Sequence, residues 1–200
     1  MRRLIMTAVT MLSITAPALA SDGIQLGNPS YAGNGCPAGS ASVTLSPDNT
    51  AMSILFDKYQ VEAGGMTGKR IDRKNCSVAV PVIIPQGFSV SVFSVDYRGF
   101  NSLPDGASST FSAEYFLAGA QGPKYAETFQ GPQDQDYTIS HQLNAAHLVW
   151  SACGKQVILR ANASMRVVTN GNSEQALSTI DSADIQAGLV YHFQWKRCGQ

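Results

Sequence analysis

The side chains best equipped for chemistry in this 200-residue chain are few and scattered. Asp96-Tyr97-Arg98-Gly99 sets a carboxylate, an aromatic ring and a guanidinium side by side at a predicted strand end, where loops commonly carry function. Such a set can hold a sugar or a peptide through ring stacking and charge-assisted hydrogen bonds. It can equally form a local ion pair with Tyr97 packed over the sheet edge. Asp96, Tyr97 and Arg98 are therefore the candidate ligand-binding residues, and Tyr97, Phe100 and Tyr125 the aromatics expected at the surface.

Enzyme signatures are missing from the sequence. It contains no Gly-x-Ser-x-Gly elbow for a hydrolase nucleophile and no His-Glu-x-x-His, since His141, His147 and His192 form no helical i, i+4 pair. It has no phosphate-cradling glycine loop and no EF-hand loop. Glycoside hydrolysis needs two carboxylates across a cleft. Glu62, Glu114, Glu127 and Glu174 are the glutamates, and Glu114, beside Tyr115 on a strand, is the least implausible acid. Spacing identifies no pair, so no catalytic residue is assigned. Asp181 with Asp184, and Asp134 with Asp136, could offer oxygens to calcium, which takes six to eight, but turn and cap roles explain them as well. Neither a metal nor a cofactor is expected. Lys69-Arg70 and Arg73-Lys74 lack interleaved aromatics and are expected to form a solvated hairpin, not a nucleic-acid site.

The elements that must position these residues begin after an export signal. Arg2 and Arg3 precede an uncharged apolar stretch, Leu4 to Ala16, which Pro17 ends before Ala18-Leu19-Ala20. This is the pattern of a secretory signal peptide over residues 1–20, cleaved before Ser21. No later segment is long and apolar enough to span a bilayer. Loss of Arg2 and Arg3 takes the 14 basic residues to 12 against 14 acidic, a formal charge of −2. That near-balance argues against nucleic acid or an anionic membrane as partner.

Four cysteines, 36, 76, 153 and 198, survive cleavage, and in an exported chain their default state is disulfide. Three pairings are possible. Cys36–Cys76 and Cys153–Cys198 are favoured because each pair flanks a set of predicted strands, at the start and at the end of the chain.

Period-two alternation dominates from Ser40 onward. Val157, Leu159, Ala161, Ala163, Met165 and Val167 alternate with Arg160, Asn162, Ser164 and Arg166, as a strand pair or one long bent strand. Leu189, Tyr191, Phe193 and Trp195 alternate in the same way, and Val78 to Ile84, Phe88 to Val92 and Phe111 to Leu117 each present an apolar face. Ser46-Pro47-Asp48-Asn49, Pro85-Gln86-Gly87, Pro104-Asp105-Gly106 and Asn170-Gly171-Asn172 supply the turns. Nine or ten strands at this spacing predict an all-β fold, a two-sheet β-sandwich or jelly roll stapled by two disulfides. Residues 21–35 read as a lead-in and 36–200 as one domain. Ser140 to Leu148, with Ser140 as N-cap, is the one candidate for a turn or two of helix.

Several segments together carry a family resemblance. Gly35-Cys36-Pro37, Val43-Thr44-Leu45-Ser46-Pro47-Asp48, Phe56-Asp57-Lys58-Tyr59 and Arg73-Lys74-Asn75-Cys76 open it. Pro85-Gln86-Gly87-Phe88, Asp96-Tyr97-Arg98-Gly99, Tyr115-Phe116 and Gly131-Pro132 continue it. Trp150-Ser151-Ala152-Cys153-Gly154, Asp181-Ser182-Ala183-Asp184 and Trp195-Lys196-Arg197-Cys198 close it. In this order they resemble domain-of-unknown-function family 4360, small four-cysteine secreted proteins of fungi and bacteria, with Ala152 where proline is expected. The resemblance implies secretion, the cysteine framework and a β-rich fold, and assigns no site residue. The expectation is a non-catalytic module outside the cell that binds an extracellular ligand, carbohydrate among the candidates, or contributes to a surface or matrix. The alternatives are a hydrolase of extracellular polysaccharide or peptide, and an interaction factor aimed at another organism.

Overall fold

The computed structural model describes residues 23–117, 122–144, 148–180 and 189–199. The strands are β1 (Gln25–Leu26), β2 (Ser30–Ala32), β3 (Ala41–Leu45), β4 (Ala51–Phe56), β5 (Gln60–Ala63), β6 (Ile71–Ile83) and β7 (Phe88–Leu103). They continue as β8 (Ser108–Leu117), β9 (Lys124–Gln130), β10 (Gln133–Gln142), β11 (Val157–Val168), β12 (Ala176–Thr179) and β13 (Leu189–Arg197). A six-stranded sheet runs β1-β6-β11-β8-β9, with β2 also on β6. A seven-stranded sheet runs β3-β4-β13-β7-β12-β5, with β10 on β7. Every pairing is antiparallel. The alternation read from the sequence is the reason: each sheet has one apolar face, and the two close over a common core that includes Met52, Ile54, Val61, Phe111, Met165 and Leu189. Each such side chain, fully buried, contributes about 1.5–3 kcal/mol.

Val157 to Val168 is one strand laddered on both edges, to β6 and to β8, and not a strand pair. The proposed lead-in belongs to the sandwich, because β1 and β2 both pair with β6 ahead of Cys36. Ser140, His141 and Gln142 are strand, paired with Asp96, Val95 and Ser94. The helical turn expected from Ser140 therefore does not start there, and residues 145–147 lie outside the described residues. Three of the four expected turns follow their chemistry: Asn49, Gly87 and Gly106 each adopt positive φ in the connections predicted for them. In the fourth, the residue at positive φ is Ser173, just beyond Asn170-Gly171-Asn172.

Both disulfides pair as favoured. Cys36–Cys76 spans 40 residues, and Cys153–Cys198 spans 45. Each closes a loop worth about 4 kcal/mol in the chain-entropy account. The first lies in the core, at 1% exposure for both cysteines. The second ties the exposed Cys153 to the residue that follows β13.

Candidate functional site

The sandwich offers two broad outer faces, and the chemistry-bearing residues divide between them. On the seven-stranded sheet, a register shift between β7 and β13 decides what β7 presents. Ser94 pairs with His192 and Val92 with Phe193, so Phe93 is an extra residue in β7. Val90 and Val92 point inward before the shift, and Val95 and Tyr97 after it. One extra residue inverts the phase of everything that follows.

That inversion separates the candidate ligand-binding residues. Tyr97, expected at the surface, is 1% exposed. Its ring lies 4.8 Å from Phe111 and stacks on Tyr125 at 5.7 Å. Burial, together with the neighbouring Tyr191, Tyr115 and Tyr125, pushes its hydroxyl far above the usual range. Asp96 and Arg98 face outward. Both carboxylate oxygens of Asp96 are taken: the Ser140 hydroxyl donates to Oδ1 at 2.6 Å, and His192 Nε2 lies 2.8 Å from Oδ2. Burial draws the Asp96 carboxyl up, but the Ser140 and His192 hydrogen bonds and the Arg98 charge outweigh it and hold it below the usual carboxylate range. Serine and histidine both bond the aspartate and not each other, so this is no hydrolase triad. Gly99 has a packing reason. A Cβ there would stand 2.1 Å from the Thr179 carbonyl and 2.5 Å from the Tyr137 hydroxyl, which donates to that same carbonyl at 2.8 Å.

The other candidates are dispersed. Phe100 is half-buried on the outer side of β7, and Tyr125 donates to Glu127 at 2.7 Å. His141 turns inward, its Nδ1 3.2 Å from the Tyr115 hydroxyl, and burial lowers its pKa. Asp134 and Asp136 are exposed on β10. Among the described residues no three histidine, cysteine or acidic side chains gather as a metal site would require. His147, Asp181 and Asp184 lie outside the described residues. The basic run is not a hairpin. Lys69 pairs with Asp72 at 3.1 Å, and β6 then sends Arg73 and Lys74 to opposite sides.

The six-stranded sheet presents a different face. A depression of about 420 Å³ lies across β6, β11, β8 and β9, within the range of small-ligand sites. Ladder register builds it in rows. Ser77, Asn162, Glu114 and Lys124 make one row, and Asn75, Ser164, Ser112 and Ala126 the next. These are the outward positions of strands whose alternate residues, among them Val78, Ala113, Ala161 and Ala163, are in the core. The floor is made of serine, asparagine and alanine, which leave room above the sheet. Glu114 lies 3.9 Å from Lys124 at one margin. Phe116, two residues beyond Glu114, is half-buried on the same face. The alternation of β11 is legible in the sequence, but it does not mark a site. Only the register brings Asn75, Ser112 and Asn162 together across three strands distant in sequence.

Comparison with known proteins agrees with the resemblance read from the sequence. The family model described as domain of unknown function DUF4360 matches residues 22–198. An uncharacterized secreted protein of Arthroderma benhamiae is 33% identical over 178 residues, 88% of this chain and 73% of the relative. Among solved structures, TmCBM61 in complex with β-1,4-galactotriose aligns over 84% of this chain and 88% of its own, at 9% identity and a TM-score of 0.32. That likeness is too distant for its ligand to bear on this chain.

Proposed function

The chain belongs to the DUF4360 family and is a secreted, disulfide-stapled protein; on that footing we propose that it is a non-catalytic module that binds an extracellular glycan across the outer face of its six-stranded sheet. The observation that carries this reading is the depression floored by Asn75, Ser77, Ser112, Asn162 and Ser164. Amide and hydroxyl groups both donate and accept, which suits the hydroxyl-rich edge of a sugar chain. Neighbouring strands set them about 4.8 Å apart, and alternate residues along a strand about 6.7 Å apart, so the array is fixed by rigid elements.

A peptide partner fits less well. Strand addition requires a free sheet edge, whereas the depression is centred on β11 and β8, which are paired on both sides. Hydrolysis also fits less well, since Glu114 is the one carboxylate among the described lining residues and glycosidases use two. Asp96 and Arg98 stand on the opposite face and take no part.

A Ser112→Trp substitution places an indole over the floor. Retention of the mature protein on a glycan array should fall at least tenfold, with the melting temperature preserved. Native protein held by no glycan, or Ser112→Trp bound as strongly as native, would remove the reading.

A further inference from the structure

The same face carries arginines that have no acidic partner among the described residues. Arg73 and Arg166 are direct cross-strand partners on β6 and β11, both exposed and both outward. Like charges opposed across a ladder are unfavourable, and here the row continues into Thr110 and Thr128, whose hydroxyls bond each other at 3.2 Å. Arg160 points to the same side, six residues before Arg166 on β11 and thus about 20 Å away along the strand. Asn162 and Ser164 lie between them. Among the described residues the ion pairs are Lys69–Asp72 and Lys124–Glu114, with His192 bonded to Asp96, and none of these contacts involves the three arginines. The Arg73 Nε donates to the Ser164 hydroxyl at 3.1 Å, which ties the pair to the floor of the depression. Among the described residues, the outward positions around the floor therefore hold Arg73, Arg160, Arg166 and Lys124 against Glu114 alone, in a mature chain with a formal charge of −2.

We infer that the ligand is an acidic polysaccharide, laid along β11 with its anionic groups on Arg166–Arg73 at one end and Arg160 at the other. This rests on the reading of the face as a glycan site and adds the charge of the ligand to it. Guanidinium groups suit the role because their planar fork matches a carboxylate or sulfate with two parallel hydrogen bonds, and because they are weakly hydrated. The anion also relieves the opposition of Arg73 and Arg166, so part of the binding free energy is stored in the unliganded face. Carboxylate and sulfate share this chemistry, and the choice between them is left to experiment.

The test compares acidic polysaccharides with an uncharged one. Native mature protein is titrated by calorimetry with polygalacturonate, with its fully methyl-esterified form, and with dextran sulfate. Polygalacturonate or dextran sulfate, whichever anion is preferred, should bind at least tenfold more tightly than the esterified chain, and weaken as salt rises. An R73Q/R166Q double variant should lose about tenfold or more for the acidic chain and nothing for the neutral one. Its melting temperature without ligand should equal or exceed the native value, because a repulsion has been removed. Equal binding of the acidic and esterified chains, or an unchanged R73Q/R166Q variant, overturns the acidic ligand and leaves the glycan reading standing. If these three probes and the glycan array all fail to bind, both are overturned.

Discussion

The two outer faces of the sandwich use similar residues to opposite ends. On the seven-stranded sheet, a carboxylate, a histidine and a serine meet, and the network closes on itself: Asp96 spends both oxygens on Ser140 and His192. On the six-stranded sheet, asparagines, serines and arginines stand in rows across three strands, and the arginines on either side of the floor have no acidic partner among the described residues. The first arrangement is complete without a ligand. The second leaves donors and positive charge facing solvent over a depression. A polar cluster satisfied within the fold reports on stability, and one left open reports on what the fold meets outside.

If that contrast holds, substitutions on the two faces should separate into stability and binding effects. The largest expected effect is Gly99→Ala, whose Cβ would meet the Thr179 carbonyl at 2.1 Å. A cost of about 3 kcal/mol is expected in urea unfolding, as for other backbone clashes in tight packing. Next comes Asp96→Ala, which strips the partner from Ser140 and His192. With the carboxylate partly solvated, about 1–2 kcal/mol is expected, and glycan affinity should not change.

Acid then distinguishes the faces more finely. Hydrogen bonds from Ser46 and Thr50 bring the Asp48 carboxyl down to about 2, and Asp96 is also held low. An unfolded chain, with aspartates near about 3.9, binds more protons than the folded one in the window below that value, so stability there rises with pH. These contributions are complete above about pH 4 and are lost as pH falls through the folded values. Asp96→Ala should flatten part of that slope in acid unfolding curves. Smallest of all is the stability effect of Asn162→Ala on the other face, within about 0.5 kcal/mol, although glycan affinity should fall severalfold.

The sheets were legible in the sequence because burial on one face imposes period two, and the disulfides were legible because each pair brackets a set of strands, although Cys76 itself lies within β6. The site was not. Tyr97 looked exposed beside Asp96 and Arg98, yet the extra residue at Phe93 inverts the phase of β7, and no local pattern marks it. Gly99 looked like part of a recognition motif, but it is there so that Tyr137 can lie across β7. Arg73 looked like one member of a solvated basic run, and only the β6–β11 register sets it opposite Arg166. Alternation reports which face a residue occupies, whereas a binding surface depends on which strands become neighbours.

The most direct test of the central claim is to map amide shifts of the ¹⁵N-labelled mature protein during titration with the glycan that retains it best. The account predicts that perturbations cluster at Asn75, Ser77, Ser112, Asn162 and Ser164, while Ser94, Asp96 and His192 stay in place. Shifts centred on Asp96 and His192, with the six-stranded face unmoved, would contradict it.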